Sequence, residues 1–429
     1  MSMPQTGPDV QEAVLFVLPF PPIYQHLDRL DGYRRVVLYD DECPFPLGSF
    51  SELFDECIRV ESIHDVAATE ASVAGLAARH PIRAIYATFE TAMEIAGILR
   101  ERFGVDGMTA AEAGRVRDKH LMKTLAAEAG VAVPAIENVD SLEQVARFGE
   151  RHGYPLIIKP RNGMGTFLTA RVDSAEQLAK LEPLLFGESR PRGFVDYDLF
   201  TKGRFVVERY VSGDEYHCDS IVSDGEVCFA SVARYLHPCI DTVEGALPDC
   251  DIAFPACSHD DSPVREILHM NREVVEALGI RNAVCHLEAF VEPDGTVLFG
   301  EIAARIGGGS LIGKCVANTH GVDIFEAFID VELGGFQLPD ANTRDVYTGY
   351  GAFATRRGVV RSVAAEHEFT NVPGMIDIAV EVKAGDHTSD RSSTIENSGF
   401  IMVEGTTFAE VADALTEACS RFERELVVE

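Results

Sequence analysis

The sequence predicts a multidomain protein of mixed α/β and α+β class, and three features carry that expectation. The first hundred residues alternate short apolar strands with helices. A central stretch sets a lysine and a glycine loop between two strands, and beyond Gly203 the pattern turns to antiparallel strands joined by tight turns. At 429 residues the chain is long for one core, and at roughly 100 to 200 residues per domain it is expected to hold two to four units.

In the first unit, the runs AVLFVL, RRVVLY and IRAIYA read as strands, with a small-residue helix near Val66 to Ala78. Ala92, Ala96, Leu99 and Phe103 then recur at helical spacing. Strands and helices in this order make an open parallel sheet. No GxGxxG follows the first strand, so no dinucleotide is assigned to it. The apolar run Val14 to Leu18 has no basic region ahead of it and is read as a strand, not a signal peptide, which makes the cytoplasm the default location.

The next helix, RDKHLMKTLAAEAG, takes Asp118 as its N-cap and Gly130 as its stop. Two near-identical phrases, VDSLEQVA (139–146) and VDSAEQLA (172–179), each run from a strand into a helix through a Ser-x-x-Gln capping box. Between them YPLIIKPRNGMGTFLTARV reads as strand, glycine loop, strand. In the antiparallel region Asp224-Gly225 and Asp294-Gly295 are two-residue hairpin signals. Residues 236–262 read as a long Pro- and Asp-bearing loop, of a length uncommon unless the loop binds something or is disordered. A helix follows at about Pro263 to Leu278. The last ninety residues read as a small α+β appendage closed by a helix near Phe408 to Phe422.

Composition narrows the function classes. With 69 acidic against 37 basic residues, the net charge of −32 opposes nucleic acid and anionic membranes as partners. No uncharged apolar run approaches the ~20 residues of a membrane span. The ten cysteines are scattered from Cys43 to Cys419 without a CxxC pair, so reduced, buried thiols are expected and no zinc or thioredoxin-like centre. The same charge repels an anionic nucleotide, so each Lys or Arg beside a glycine loop is informative.

A two-residue turn at Asp294-Gly295 places Glu288 opposite Glu301 on one sheet face. At ~5 Å and an effective dielectric of ~20 their repulsion is roughly 3 kcal/mol, which calls for a cation between them or a raised pKa. Hard oxygen donors of this kind, with phosphates completing the shell, suit Mg²⁺; a solvated sheet face is the bland alternative. His286, Ala303 and Arg305 follow on the same pleat. Arg305 suits either a salt bridge or a phosphoryl group. Gly308, Gly309 and Ser310 after it suit an anion-binding nest or a flexible linker. Lys159 ends an apolar strand beside Gly163, Gly165 and Thr166 and is placed to hold phosphates or to sit on a surface turn. Lys119 and Lys123, one turn apart, read as a solvated helix face. The turn at Asp224-Gly225 places Glu215 opposite Arg234, either as a cross-strand ion pair or to capture a substrate carboxylate.

The order of these pieces resembles the ATP-grasp superfamily over about Thr109 to Gly335: Asp118-Lys119, YPLIIKPRNGMGT with Lys159, VERYV-x-x-x-E with Glu208 and Glu215, His-Leu-Glu288, and Glu301-x-x-x-Arg305. Within it the chain is most similar to the L-amino acid ligases and related carboxylate-amine ligases. The resemblance implies an ATP-grasp fold with an N-terminal Rossmann-like pre-ATP-grasp domain (1–108), a core (109–335, dividing at 202/203) and a C-terminal α+β lobe (336–429). It implies that Lys119 and Lys159 hold ATP phosphates under a mobile loop, Gly163 to Thr166. Glu208, Arg209 and the backbone through Val211 would recognise adenine, and Glu215 the ribose. Glu288 and Glu301 would bind Mg²⁺ or Mn²⁺, and Arg305 would stabilise the transferred phosphoryl group, with His286, Arg234 and Gly308 to Ser310 toward substrate. One departure stands out: the superfamily's E-x-N-x-R reads Glu301-Ile302-Ala303-Ala304-Arg305 here, so a third ligand is missing unless phosphate and water, His286 or Asp219 compensates.

The implied activity is ATP-dependent amide formation between small carboxylate and amine substrates through an acyl phosphate, in a soluble enzyme that is a homodimer if it follows the commonest pattern. A purine-pathway or biotin-carboxylase-like ATP-grasp enzyme, or a nucleotide-binding module that has lost catalysis, are the alternatives.

Overall fold

The computed structural model describes residues 10–41, 43, 45–185, 205–244, 247–339, 343–389, 394 and 396–429. The N-terminal unit is a parallel sheet of β1 (Ala13–Val17), β2 (Arg34–Tyr39), β3 (Glu56–Arg59) and β4 (Ile82–Ala87), in the order β3-β2-β1-β4. Every residue of β1 is buried, as a central strand covered on both faces requires. β3, ECIR, has too few apolar residues to stand out in the sequence.

A second sheet, antiparallel and ordered β5-β8-β6-β7, joins β5 (Ile136–Val139), β6 (Leu156–Pro160), β7 (Ala170–Val172) and β8 (Phe205–Arg209). Helices Leu142–His152 and Ala175–Leu185 begin within the two repeated phrases. Their glutamines do not close capping boxes on the serines; Gln144 and Gln177 accept instead from the backbone N–H of Asp140 and Asp173 at 2.7 and 2.8 Å.

The largest sheet has eight antiparallel strands. They are β9 (Asp214–Ser223), β10 (Glu226–Tyr235), β11 (Asp249–Ala253), β12 (Ala283–Val291), β13 (Val297–Ala303), β14 (Tyr347–Ala352), β16 (Met375–Val380) and β18 (Gly399–Gly405), in the order β13-β12-β9-β10-β11-β14-β18-β16. The expected loop at 236–262 is therefore corrected: it holds a short helix, Cys239–Glu244, and β11, a strand in the middle of the sheet. The C-terminal strands continue the same sheet, so β11 pairs with β10 on one side and β14 on the other. A small fourth sheet, β17-β15-β19, uses β15 (Gly358–Ser362), β17 (His387–Thr388) and β19 (Val427–Val428).

One apolar core runs from Leu15 and Ile85 of the first unit to Cys218 and Leu287 of the large sheet, and another joins Cys250 and Ile252 to Leu415 and Phe422 of the closing helix, Phe408–Glu425. None of the described helices is long and apolar enough to cross a membrane.

Candidate active site

The three larger sheets meet around a cavity of about 740 Å³. Of the residues singled out in the sequence, Lys119, Lys159, Gly163, Gly165, Thr166, Glu208, Arg209, Val211, Glu215, His286, Glu288, Glu301, Arg305, Gly308, Gly309 and Ser310 all line it, and Arg234 does not.

Lys119 opens the helix Lys119–Glu128, whose N-cap Asp118 accepts from the N–H groups of His120 and Leu121. Its Nζ donates to the Gly163 carbonyl at 2.6 Å and lies 3.4 Å from Glu301. Lys159 leaves β6 and lies 3.3 Å from Glu301 and 3.5 Å from Glu208. Burial works against its charge, but Glu208, Glu301 and Glu288 outweigh burial and raise its pKa above the ordinary lysine range. Burial would likewise raise the Glu301 carboxyl, yet Lys119, Lys159 and Lys123 hold it far below the usual carboxylate range. Lys123 is no solvated lysine: it is fully buried, with Nζ 2.7 Å from Glu208. Burial lowers its pKa to about 8 against the pull of Glu208. The Glu208 carboxylate thus bridges two lysines, and the backbone beyond it, through Val211, forms the cavity wall. The Arg209 guanidinium turns to Glu292 at 3.0 Å.

The glycine loop turns back through left-handed backbone at Gly165 and Thr166 (φ +57° and +62°). Thr394 of the C-terminal unit donates its N–H to the Gly165 carbonyl at 3.4 Å.

Glu288 and Glu301 do pair across β12 and β13. The turn that leads there differs from the expected one. Between Val291 and Val297 lies a five-residue loop closed by Glu292 N–H to the Thr296 carbonyl at 2.9 Å, and a bulge beside Gly300 restores the register. The two deviations cancel. In the other hairpin a shift between Val227 and Phe229 is not cancelled, so Arg234 pairs with Tyr216, and its guanidinium meets Asp214 at 3.1 Å. The expected Glu215–Arg234 pairing is corrected accordingly. Glu215 instead accepts from the Cys239 N–H at 2.8 Å, and burial together with the charge of Glu288 raises its pKa to about 8.

Arg305 donates twice to one Glu90 oxygen, at 2.7 and 3.0 Å, while Arg117 holds the other at 2.9 Å. Burial opposes ionisation of Glu90, but Arg305 and Arg117 overcome it and keep its pKa low. Next to Arg305, Gly308 and Gly309 adopt φ of +53° and +61° and lead through Ser310 into the helix Leu311–His320. Exposed N–H groups at such a start suit an anion.

On the cavity side of β9 and β12 runs a chain of alternating acids and imidazoles. Asp251 meets His217 at 3.1 Å, His217 meets Asp219 at 2.7 Å, and Asp219 meets His286 at 3.0 Å. His286 Nε2 lies 3.7 Å from Glu288. Burial favours the neutral ring at His217, but Asp219 and Asp251 raise its pKa to about 10. The alternation Glu215-x-His217-x-Asp219 could have revealed this polar face, since a strand turns every second residue the same way. Glu90 and Asp251 left no such trace.

The sequence of residues 152–314 matches the ATP-grasp domain, and residues 352–427 match the L-amino acid ligase C-terminal domain 2. The chain carries an ATP-grasp domain. An L-arginine-specific L-amino acid ligase of Bacillus subtilis is 25% identical over 358 residues, 82% of each chain. An alanine–anticapsin ligase of the same species is 26% identical over 54% of this chain and 50% of its own. The crystal structure of an L-amino acid ligase from Bacillus licheniformis superposes with a TM-score of 0.75 at 18% identity, covering 98% of this chain and 99% of that one. A phosphoribosylglycinamide synthetase from Anaerococcus prevotii superposes at 0.66 and 13% identity, over 97% and 100%. The ATP-grasp fold is thus common to ligases of different substrates.

Proposed function

We propose that the protein is an ATP-dependent carboxylate–amine ligase. It joins amino acids, or an amino acid to another small carboxylate, through an acyl phosphate and releases ADP and phosphate. The observation that carries this reading is the convergence in one cavity of two lysines, a facing carboxylate pair, an anchored arginine and a glycine-rich helix start. The named relatives, which are ligases of amino acids, support it. The unit boundaries at 108/109 and 335/336 belong to the same proposal.

Lys119 and Lys159 hold the nucleotide's phosphates as point charges, beneath the loop Gly163 to Thr166. The strand linker from Glu208 to Val211 seats the base, and Glu215 takes the ribose hydroxyls. The residues at the opposite end fit a divalent cation: Glu301 faces Glu288 across the hairpin, and both offer hard oxygen donors. Glu288 and Glu301 would hold Mg²⁺, which supplies charge neutralisation on the phosphates. Arg305, held through Nε and Nη2 by Glu90, brings its guanidinium charge to the group in transfer, and Gly308 to Ser310 offer N–H groups to the acyl phosphate. Closure of the glycine loop against the C-terminal unit keeps water from that hydrolysable intermediate. Pro238, Cys239, Ile240 and Ser310 line the part of the cavity assigned to the acceptor.

A phosphate-release screen over pairs of amino acids with Mg-ATP tests the reading, and release strictly dependent on a carboxylate plus an amine is expected. Glu301→Gln, which also removes a counter-ion of Lys119 and Lys159, is expected to abolish release at temperatures where the variant is still folded by circular dichroism. Release that needs bicarbonate or a phosphoribosyl amine instead would favour the purine-pathway reading, which the phosphoribosylglycinamide synthetase likeness keeps in view. No release with any pair would favour a module without catalysis.

A further inference from the structure

Among the residues around the carboxylate pair, the His286 ring has no task in the ligase reading above. It lies on β12, two residues before Glu288 and on the same face, and its side chain is 7% exposed. Its register partner on β13 is Ala303, a methyl group with no donor atom. Nδ1 is engaged by Asp219 at 3.0 Å, and the ring lines the cavity with Nε2 3.7 Å from Glu288. Nothing in the ring's setting lets it turn away. A Cβ on Gly307 would lie 2.3 Å from Nδ1, and the His217 ring packs at 5.1 Å from the other side.

Neighbouring donors on an octahedral ion, each at about 2.1 Å, stand about 3 Å apart, so a small rotation of Glu288 would bring its oxygen and Nε2 to one ion. A carboxylate on one imidazole nitrogen, with the other nitrogen aimed at an acidic site, is how proteins orient a histidine ligand and raise its basicity. His217, Asp219 and His286 also stand close together, but His286 Nδ1 is taken by Asp219. Both nitrogens of His217 are engaged by Asp219 and Asp251, so that part of the cluster is closed by its own hydrogen bonds.

We infer that His286 Nε2 is a third protein ligand of the divalent ion, beside Glu288 and Glu301, held in place by Asp219 and through it by His217 and Asp251. The inference rests on the ligase reading for the presence of the ion, but adds a nitrogen donor to an otherwise all-oxygen site. Imidazole suits transition metals better than it suits Mg²⁺, so the site would accept Mn²⁺ in preference to Mg²⁺ more strongly than an all-oxygen site does. Asp219 is a positioning residue.

The test uses full-length protein labelled with ¹⁵N in histidine, loaded with Mn²⁺ and ADP, and examined by pulsed electron paramagnetic resonance. Direct coupling of one histidine nitrogen to Mn²⁺ is expected, and its loss in His286→Asn with the ion still bound. Asp219→Asn is expected to weaken Mn²⁺ binding by roughly 10- to 100-fold, the usual effect of losing a carboxylate behind a ligand histidine. Ala303→Asn, which puts an oxygen donor across from the ring, is expected to shift preference toward Mg²⁺ and serves if His286→Asn fails to fold. Bound Mn²⁺ without nitrogen coupling, or coupling that survives His286→Asn, overturns the inference and leaves the ligase reading standing. Failure of the native protein to bind Mn²⁺ with ADP overturns both.

Discussion

A second lysine one turn after Lys119 would ordinarily keep to solvent, yet Lys123 is fully enclosed with Glu208 as its counter-ion. Helical spacing shows which residues share a face and not what covers that face, so its burial was illegible. Lys123→Met leaves Glu208 underneutralised in a dry setting, and losing one partner of such a pair costs about 3 to 5 kcal/mol. Urea unfolding is expected to show a loss of that size. Glu215 carries the opposite signature. Its pKa rises from 4.5 to about 8 on folding, so between those values the native state keeps a proton that the unfolded chain releases. Its contribution is complete at low pH and is lost as pH climbs toward 8, with a slope of up to about 1.4 kcal/mol per pH unit. Melting curves of the ligand-free protein from pH 5 to 8 are expected to fall less steeply in Glu215→Gln than in the native protein; identical slopes would refute this.

The hairpin of β12 and β13 decides where the two carboxylates stand. Gly300 sits at its bulge, where a Cβ would approach the Glu288 carbonyl to 2.8 Å. Backbone cannot yield there as a side chain can, so Gly300→Val is expected to cost about 1 to 3 kcal/mol and to displace Glu301. Calorimetric titration should find Mg-ATP affinity lost beyond what the thermal shift explains. The facing of Glu288 and Glu301 was legible in the sequence, though by a route that ignored a longer loop and a compensating bulge. Where a single bulge near Cys228 had no counterpart, the same reasoning misplaced Arg234 by one residue. A bulge in β10 carries no signature as clear as a turn glycine, so registers inferred from turns hold only as far as the first irregularity.

Across the whole molecule, the site draws on all three units, and Glu90 shows how they are fastened. It comes from the first unit yet orients Arg305 of the ATP-grasp domain. Glu90→Gln keeps shape but weakens a charge-assisted fork, and is expected to lower kcat by roughly 10- to 100-fold with little change in the KM for ATP. Steady-state kinetics of the variant will separate the two. The parallel first unit, the lysine–glycine-loop segment and the antiparallel region were legible because each has its own periodicity. β11 was not, because DCDIA turns Asp249 and Asp251 inward and reads as a loop. Its pairing with β14 makes the C-terminal unit an extension of the central sheet, not an accessory to it. Chimeras that exchange everything after Tyr347 between relatives would therefore sever a hydrogen-bonded ladder and bare the apolar rim of β11, inviting aggregation. Redesign of substrate range is better aimed at residues that line the cavity outside that ladder, such as Ser389 and Thr394, which can be changed without tearing the fabric beneath.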